Sequence, residues 1–392
     1  MDIIGGEPPA RGGYVDRRAI GTRTKRETPR RVVARVQRLC CLGLGSQAIM
    51  PALLTEIDAL APAFSRVFNW AGPQGELAHV YTDTPAAPSV LPVYFDEFHL
   101  RKERQVTLTF ADTMRTQYPT AVADFRERGL TVGWAEFLKS DIYNLIRRPL
   151  GSHHRLEIKL SERGAGLGAL VINRTEKEPE FSPQERRLLE AVAPFMAHAM
   201  TATPPLDAPL ADSDDSGLII ATTDGGIQHL SAAARRLLLM ATFAQWSPAT
   251  LWGDTPGLPA PLVRLCRDLA RAFEDLTPGS PPVWFHRNAW GGFEFRAYLL
   301  DPNAATPSRS LVGITIRRHE PLPLRVFRRA EALPLSAREI NYVLLSAGGH
   351  GRKAIAERMG VSAHTAQTHG RNVYAKLGVH SRAELVERLR AV

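Results

Sequence analysis

The side chains of this 392-residue chain best placed for chemistry are cations, not nucleophiles. Between Pro334 and Val392 stand nine Lys and Arg residues (Arg338, Arg352, Lys353, Arg358, Arg371, Lys376, Arg382, Arg388, Arg390). Only four acids oppose them (Glu339, Glu357, Glu384, Glu387), so the stretch is strongly basic. Cations carried on successive helices can grip the phosphates of a nucleic acid by charge and hydrogen bonds. Rival chemistries are poorly furnished. Gly164-Ala165-Gly166-Leu167-Gly168 lacks the spacing of a dinucleotide loop, precedes a strand, and has no Lys-Ser/Thr partner, so it reads as a hairpin turn. His153-His154 with Glu157 could ligate a metal, but no further ligands are near, and solvated or hydrogen-bonded histidines are the commoner outcome. Cys40-Cys41 could be redox-active, although burial as small apolar groups is the commoner fate. With Cys266 they make neither a disulfide framework nor a zinc spacing, and no G-x-S-x-G elbow is present. A non-enzyme without metal or cofactor is the expectation.

The elements that must carry the cations can be read from their ends. Ser336 with Glu339, and Ser381 with Glu384, make the Ser-x-x-Glu capping box of a helix start, and Ser362 is a third N-cap. These starts predict four helices, at 337–346, 352–359, 363–377 and 382–391. Gly349 and Gly351 separate the first pair, Gly360-Val361 makes a tight turn before the third helix, and Gly378 stands where a left-handed cap is needed. Ile340, Val343, Ile355, Met359, Val361, Val373 and Leu377 can share a small core while the charges face out.

In this frame the run Leu335-Ser336-x-Arg338-Glu339, Lys353-x-Ile355-Ala356, Ser362-x-x-Thr365, His369-x-x-Asn372-Val373-x-x-Lys376-Leu377-Gly378-Val379, Arg382 resembles the LuxR-type helix-turn-helix family. The resemblance implies a partner, double-stranded DNA, with the third helix in its major groove. Gln367, Thr368 and Arg371 match the positions that reach base edges; Gln suits adenine, Arg guanine, and a Thr methyl a thymine methyl. Arg352, Lys353, Thr365 and Lys376 match positions near the phosphate backbone. The last helix would serve dimerisation through Leu385, Val386 and Leu389, making a homodimer. Glu339 and Arg382 read as ion-pair or capping residues, and Asn372 as either. Four departures stand out: Asn341 for an acid, Ser346 for an apolar residue, Ala366 for a Val, and Gly370 inside the third helix, at about 1 kcal/mol relative to Ala. Ala366 and Gly370 keep open a rival reading, in which a ligand-binding signalling module acts through protein partners beside a degenerate DNA-binding domain.

The rest of the chain is expected to form α+β sensory domains. Residues 1–31, with Arg17, Arg18, Arg23, Lys25, Arg26, Arg30 and Arg31, read as a basic, disordered arm. The unit 32–200 opens with helices broken by Gly43, Gly45 and Pro51, and carries strands at 155–160 and 168–173. It closes with Ser182-Pro183-Gln184-Glu185 before a helix that Pro194 should bend. Its end resembles a GAF domain. Residues 201–216 read as a linker, and 217–320 resemble a PAS domain: strands at 217–222, 283–287, 293–300 and 311–316, a turn at Asp224-Gly225-Gly226, and helices at 231–240 and 262–273. Residues 321–333 read as a basic linker, leaving 334–392 for the four-helix LuxR-type domain. Trp70, Tyr94, Phe95, Phe98 and Trp134 are expected in the core, a cavity for an unknown small-molecule effector being the alternative. With 44% hydrophobic and 23% charged residues, a formal charge of +9, and neither a signal peptide nor an apolar run long enough to cross a membrane, the expected setting is cytoplasmic.

Overall fold

In the computed structural model the described residues are 28–82, 84, 87–115, 121–203, 208–244, 257–274, 281–300 and 310–390. Most of the expected basic arm lies outside them, although Arg30 and Arg31 already belong to α1 (Pro29–Cys40). α2 (Ser46–Leu60) follows and runs through Pro51, which was expected to break it. Proline removes one backbone hydrogen bond; here the buried side chains of Ile49, Met50, Leu53, Leu54 and Ile57 hold the helix together.

Alternating side chains build a first antiparallel sheet from β1 (Ser65–Ala71), β2 (Leu77–Thr82), β3 (Ala121–Asp124), β4 (His154–Glu162) and β5 (Ala165–Arg174), in the order β2-β1-β5-β4-β3. Arg163 and Gly164 both take positive φ, 51° and 84°, so the β4–β5 hairpin turns on two residues and the strands outrun the expected ones. Phe68, Leu156, Ile158, Leu160, Leu170 and Ile172 are buried on one face in a core shared with α1, α2 and α7 (Pro183–Thr201). The opposite face is roofed by short helices, α3 (Ala87–Val93), α4 (Phe110–Arg115), α5 (Phe125–Arg128) and α6 (Trp134–Phe137), with π-helical turns at Tyr94–Phe98 and Ile142–Arg147. α7 starts on the expected capping box of Ser182 and Glu185 and continues through Pro194.

A second antiparallel sheet repeats this arrangement. β6 (Leu210–Thr222), β7 (Ile227–Leu230), β8 (Val283–Asn288), β9 (Gly291–Leu300) and β10 (Leu311–Pro321) follow the order β7-β6-β10-β9-β8, with α8 (Ala232–Thr242) and α9 (Ala260–Glu274) interposed in sequence. β6 and β10 pair from Leu311↔Thr222 to Pro321↔Leu210. The stretch 201–216 is therefore not linker throughout: from Leu210 it is the first half of β6. The two sheets do not stand apart. Trp290, at the β8–β9 turn, is wholly buried and packs on Tyr81, His79 and Trp70 of the first unit. Arg318, also buried, donates to the Trp290 carbonyl at 2.9 and 3.0 Å and to the Ala48 carbonyl at 3.2 Å.

The expected basic linker 321–333 is a helix, α10 (Leu322–Ala332). Two of its cations are paired, buried Arg325 with Asp214 and exposed Arg328 with Glu320 at 3.0 Å, while Glu331 accepts from Arg38 of α1 at 2.9 Å. Four helices complete the chain: α11 (Ala337–Ala347), α12 (Arg352–Met359), α13 (Ala363–Leu377) and α14 (Arg382–Arg390). Among the described residues no helix is long and apolar enough to cross a membrane.

Candidate nucleic-acid interface

Local signals set each of the last four helices. Ser336 and Glu339 form a reciprocal capping box on α11, and the Ser362 hydroxyl accepts from the Thr365 amide at 3.1 Å to start α13. Gly360 and Gly378 end α12 and α13 in the left-handed conformation, each with φ of 64°, which glycine adopts without a Cβ clash. Arg338, on α11, donates to the last α12 carbonyl, that of Met359, at 3.1 Å. Together these fix the α12–turn–α13 angle on which any groove contact depends.

α13 divides cleanly. Ala366, Gly370 and Val373 are buried, while Gln367, Thr368 and Arg371 lie exposed on one outward face, Arg371 four and three residues after the other two. His364 is exposed on that face one turn earlier, three and four residues before Gln367 and Thr368, a spacing by which the sequence alone could have found it. The Thr368 hydroxyl donates back to the His364 carbonyl at 3.0 Å, leaving its methyl and acceptor lone pairs for an outside partner. Thr365 shares a 2.9 Å hydrogen bond with Ser362 and so belongs partly to the cap. Arg352 and Lys353 are exposed at the start of α12, where Gly351 offers no capping side chain to the first amides. Such an N-terminus, with two cations beside it, suits a phosphate.

Lys376 is placed differently. Its ammonium lies 2.7 Å from Glu339 and 3.4 Å from the Pro334 carbonyl, tying the end of α13 to the start of α11. Burial alone would raise the Glu339 pKa, but hydrogen bonds from Lys376 and from Ser336 hold it below its ordinary value. Glu339 thus has the ion-pair and capping role expected of it.

The departures at Ala366 and Gly370 have packing reasons. Ala366 fills a small cluster with Ile355, Ala356 and Met359. A Cβ at Gly370 would stand 2.5 Å from the Tyr342 hydroxyl and 2.6 Å from its ring, so the glycine admits the tyrosine, which bonds to Tyr374. Ser346, in the usual apolar position, is buried.

The expected dimerisation residues are engaged within the chain. Leu385 and Leu389 are wholly buried in one cluster with Leu322, Val326 and Ala330 of α10, and Val386 is half-buried beside them. In this conformation they offer no open apolar face to a second copy.

The other sequence candidates are accounted for locally. His153 shares a 2.7 Å hydrogen bond with the Tyr143 hydroxyl, and His154 accepts from Arg126 at 3.2 Å. Burial, reinforced by Cys41, pushes the Cys40 thiol up to about 12, so at neutral pH it is an unreactive thiol. Of the five aromatics expected in the core, Tyr94 and Phe95 line a cavity; Trp70 stacks on His79 at 4.1 Å, and Phe98 and Trp134 pack in the helical roof.

Residues 333–389 match the family model described as bacterial regulatory proteins, luxR family. The oxygen regulatory protein NreC of Staphylococcus aureus (strain JH9) is 45% identical over 53 residues, covering 14% of this chain and 24% of that protein. The chain thus spans about a quarter of the length of the curated relatives it matches. Among solved structures, a Vibrio cholerae VqmA–ligand–DNA complex is 15% identical, covering 46% of this chain and 87% of that one, with a TM-score of 0.20. A phage VqmA–DPO complex is 21% identical over 45% and 81% of the two chains, with a TM-score of 0.17. Likeness at these scores carries no argument about the fold.

Proposed function

With residues 333–389 a LuxR-family helix-turn-helix domain, we propose that the chain is a sequence-specific transcription regulator whose α+β half modulates DNA binding. The carrying observation is the exposed row Gln367, Thr368 and Arg371 on a helix whose other face is sealed by Ala366, Gly370 and Val373. In a major groove these three read base edges, while Arg352 and Lys353, with the Thr365 hydroxyl, hold phosphates. Lys376 serves the fold. The two sheets, alike in strand order, support a GAF-like and a PAS-like pair of sensory folds, divided between α7 and β6 and docked through Trp290. Relatives of the family act without catalysis, and the same holds in this reading; the setting is the cytoplasm.

Modulation passes through α10. The helix is bolted to the sensory half by Arg38–Glu331, Arg325–Asp214 and Arg328–Glu320, and its other side covers Leu385 and Leu389. Shifting α10 would free Leu385, Val386 and Leu389 to pair two copies, giving a homodimer on a two-fold DNA site. Selection of bound duplexes from random DNA with the full chain tests the reading. It predicts a defined, two-fold related site; recovery of no preferred sequence would refute it.

A further inference from the structure

Beneath the helical roof of the first sheet lies a cavity of about 100 Å³. Its walls are mostly apolar, and it is lined at one end by two guanidinium groups, of Arg147 and Arg155. Both sit over the Phe125 ring, 5.2 and 4.8 Å from its centroid. Arg155 pairs with Glu157, its neighbour on the same strand face. Among the described residues no carboxylate pairs with Arg147. The Nε–H groups of both arginines are buried with no acceptor. The remaining acid, Glu103, is already engaged: Tyr94 donates to it at 2.7 Å, the Leu100 amide at 2.8 Å, and His99 stands 3.4 Å away. The two acids and two cations of the lining balance in number, but Arg147 has no carboxylate partner among the described residues, and two N–H donors stand unused beside an apolar chamber. Leaving buried donors unmatched is costly, and an anion that accepts from both and pairs with Arg147 removes the cost.

We infer that this cavity is a binding site for a small monocarboxylate with an apolar body. The carboxylate accepts from Arg147 and Arg155, and the body fills the space beside Phe95, Val67 and Val171. A cavity of about 150 Å³ takes benzene, so this one limits the ligand to roughly four to seven heavy atoms. The inference names the effector class for the sensory half proposed above and rests on that reading, although binding itself does not require DNA.

Calorimetric titration of the full chain with butyrate, butyramide and inorganic phosphate tests it. The expected result is one saturable butyrate site, with butyramide and phosphate each at least about tenfold weaker, because the amide lacks charge and phosphate lacks the apolar body. Arg147→Met should lower butyrate affinity about tenfold or more with thermal unfolding unchanged, and Arg147→Lys should restore part of it. Ala169→Leu, which narrows the chamber without touching a charge, should abolish binding. Equal binding of butyrate and butyramide, preference for phosphate, indifference to Arg147→Met in the folded protein, or no saturable butyrate site would each overturn it. Binding of a selected DNA duplex, followed in the same preparation, separates loss of the effector site from failure of the DNA reading.

Discussion

Arg371 and Lys353 differ in what they can tell a duplex, and substitution should separate them. Arg371→Ala should cost about 1–3 kcal/mol on the preferred site and relax one base position, whereas Lys353→Ala should weaken all duplexes alike and reduce the salt slope by about one, both read by fluorescence anisotropy. Gly370→Ala sets helix propensity against space. The propensity gain is about 1 kcal/mol, but the new methyl meets the Tyr342 ring and displaces it from Tyr374. We expect a net loss, seen as a lower melting temperature; a rise would contradict the packing assigned to Tyr342. Glu339 gives the pH dependence a sign. Its folded pKa lies below the ordinary 4.5, so its contribution is present above that value and lost as pH falls towards the folded pKa. Wild type should therefore lose helix-turn-helix stability below about pH 4.5, while Glu339→Gln starts less stable and shows a flatter acid limb.

At the scale of elements, what the sequence disclosed was local. Capping serines and the glycines 360 and 378 place all four final helices to within a residue or so, because each signal acts within one turn. β6 and β10 run longer than their apolar pattern predicts, since Asp212, Asp214, Arg317 and His319 are polar and their pairing exists only once both strands are present. α10 is hidden in the sequence for the same reason. Arg325 and Arg328 look unpaired until Asp214 and Glu320 are brought beside them, and Val326 looks incidental until Leu389 covers it. Removing the Leu389 side chain to Ala should cost about 2–5 kcal/mol as a buried truncation. Val326→Asp should instead release α14 and raise hydrogen exchange there; protection unchanged from wild type would argue against the α10 cover.

Across the whole molecule, the helix-turn-helix announced itself in one contiguous stretch, whereas the cavity under the helical roof did not. Its walls come from β1, β2, β4, β5 and the roof, and Arg147 and Arg155 meet only over Phe125. Tyr94 and Phe95 were visible as aromatics, but nothing local distinguished them from Phe98, which packs in the core. The resulting order is cavity, shared core at Trp290, α10, then the four helices of the helix-turn-helix domain. The most direct test of the central claim is binding of the full chain to its selected duplex and to a scrambled one, titrated across 50 to 200 mM salt with wild type and Arg371→Ala, these settings being about those at which phosphate contacts dominate. The account predicts that Arg371→Ala lowers the specific-to-scrambled ratio by roughly tenfold and leaves both salt slopes as they were. Equal loss on both duplexes, or no preference in the wild type, would contradict it.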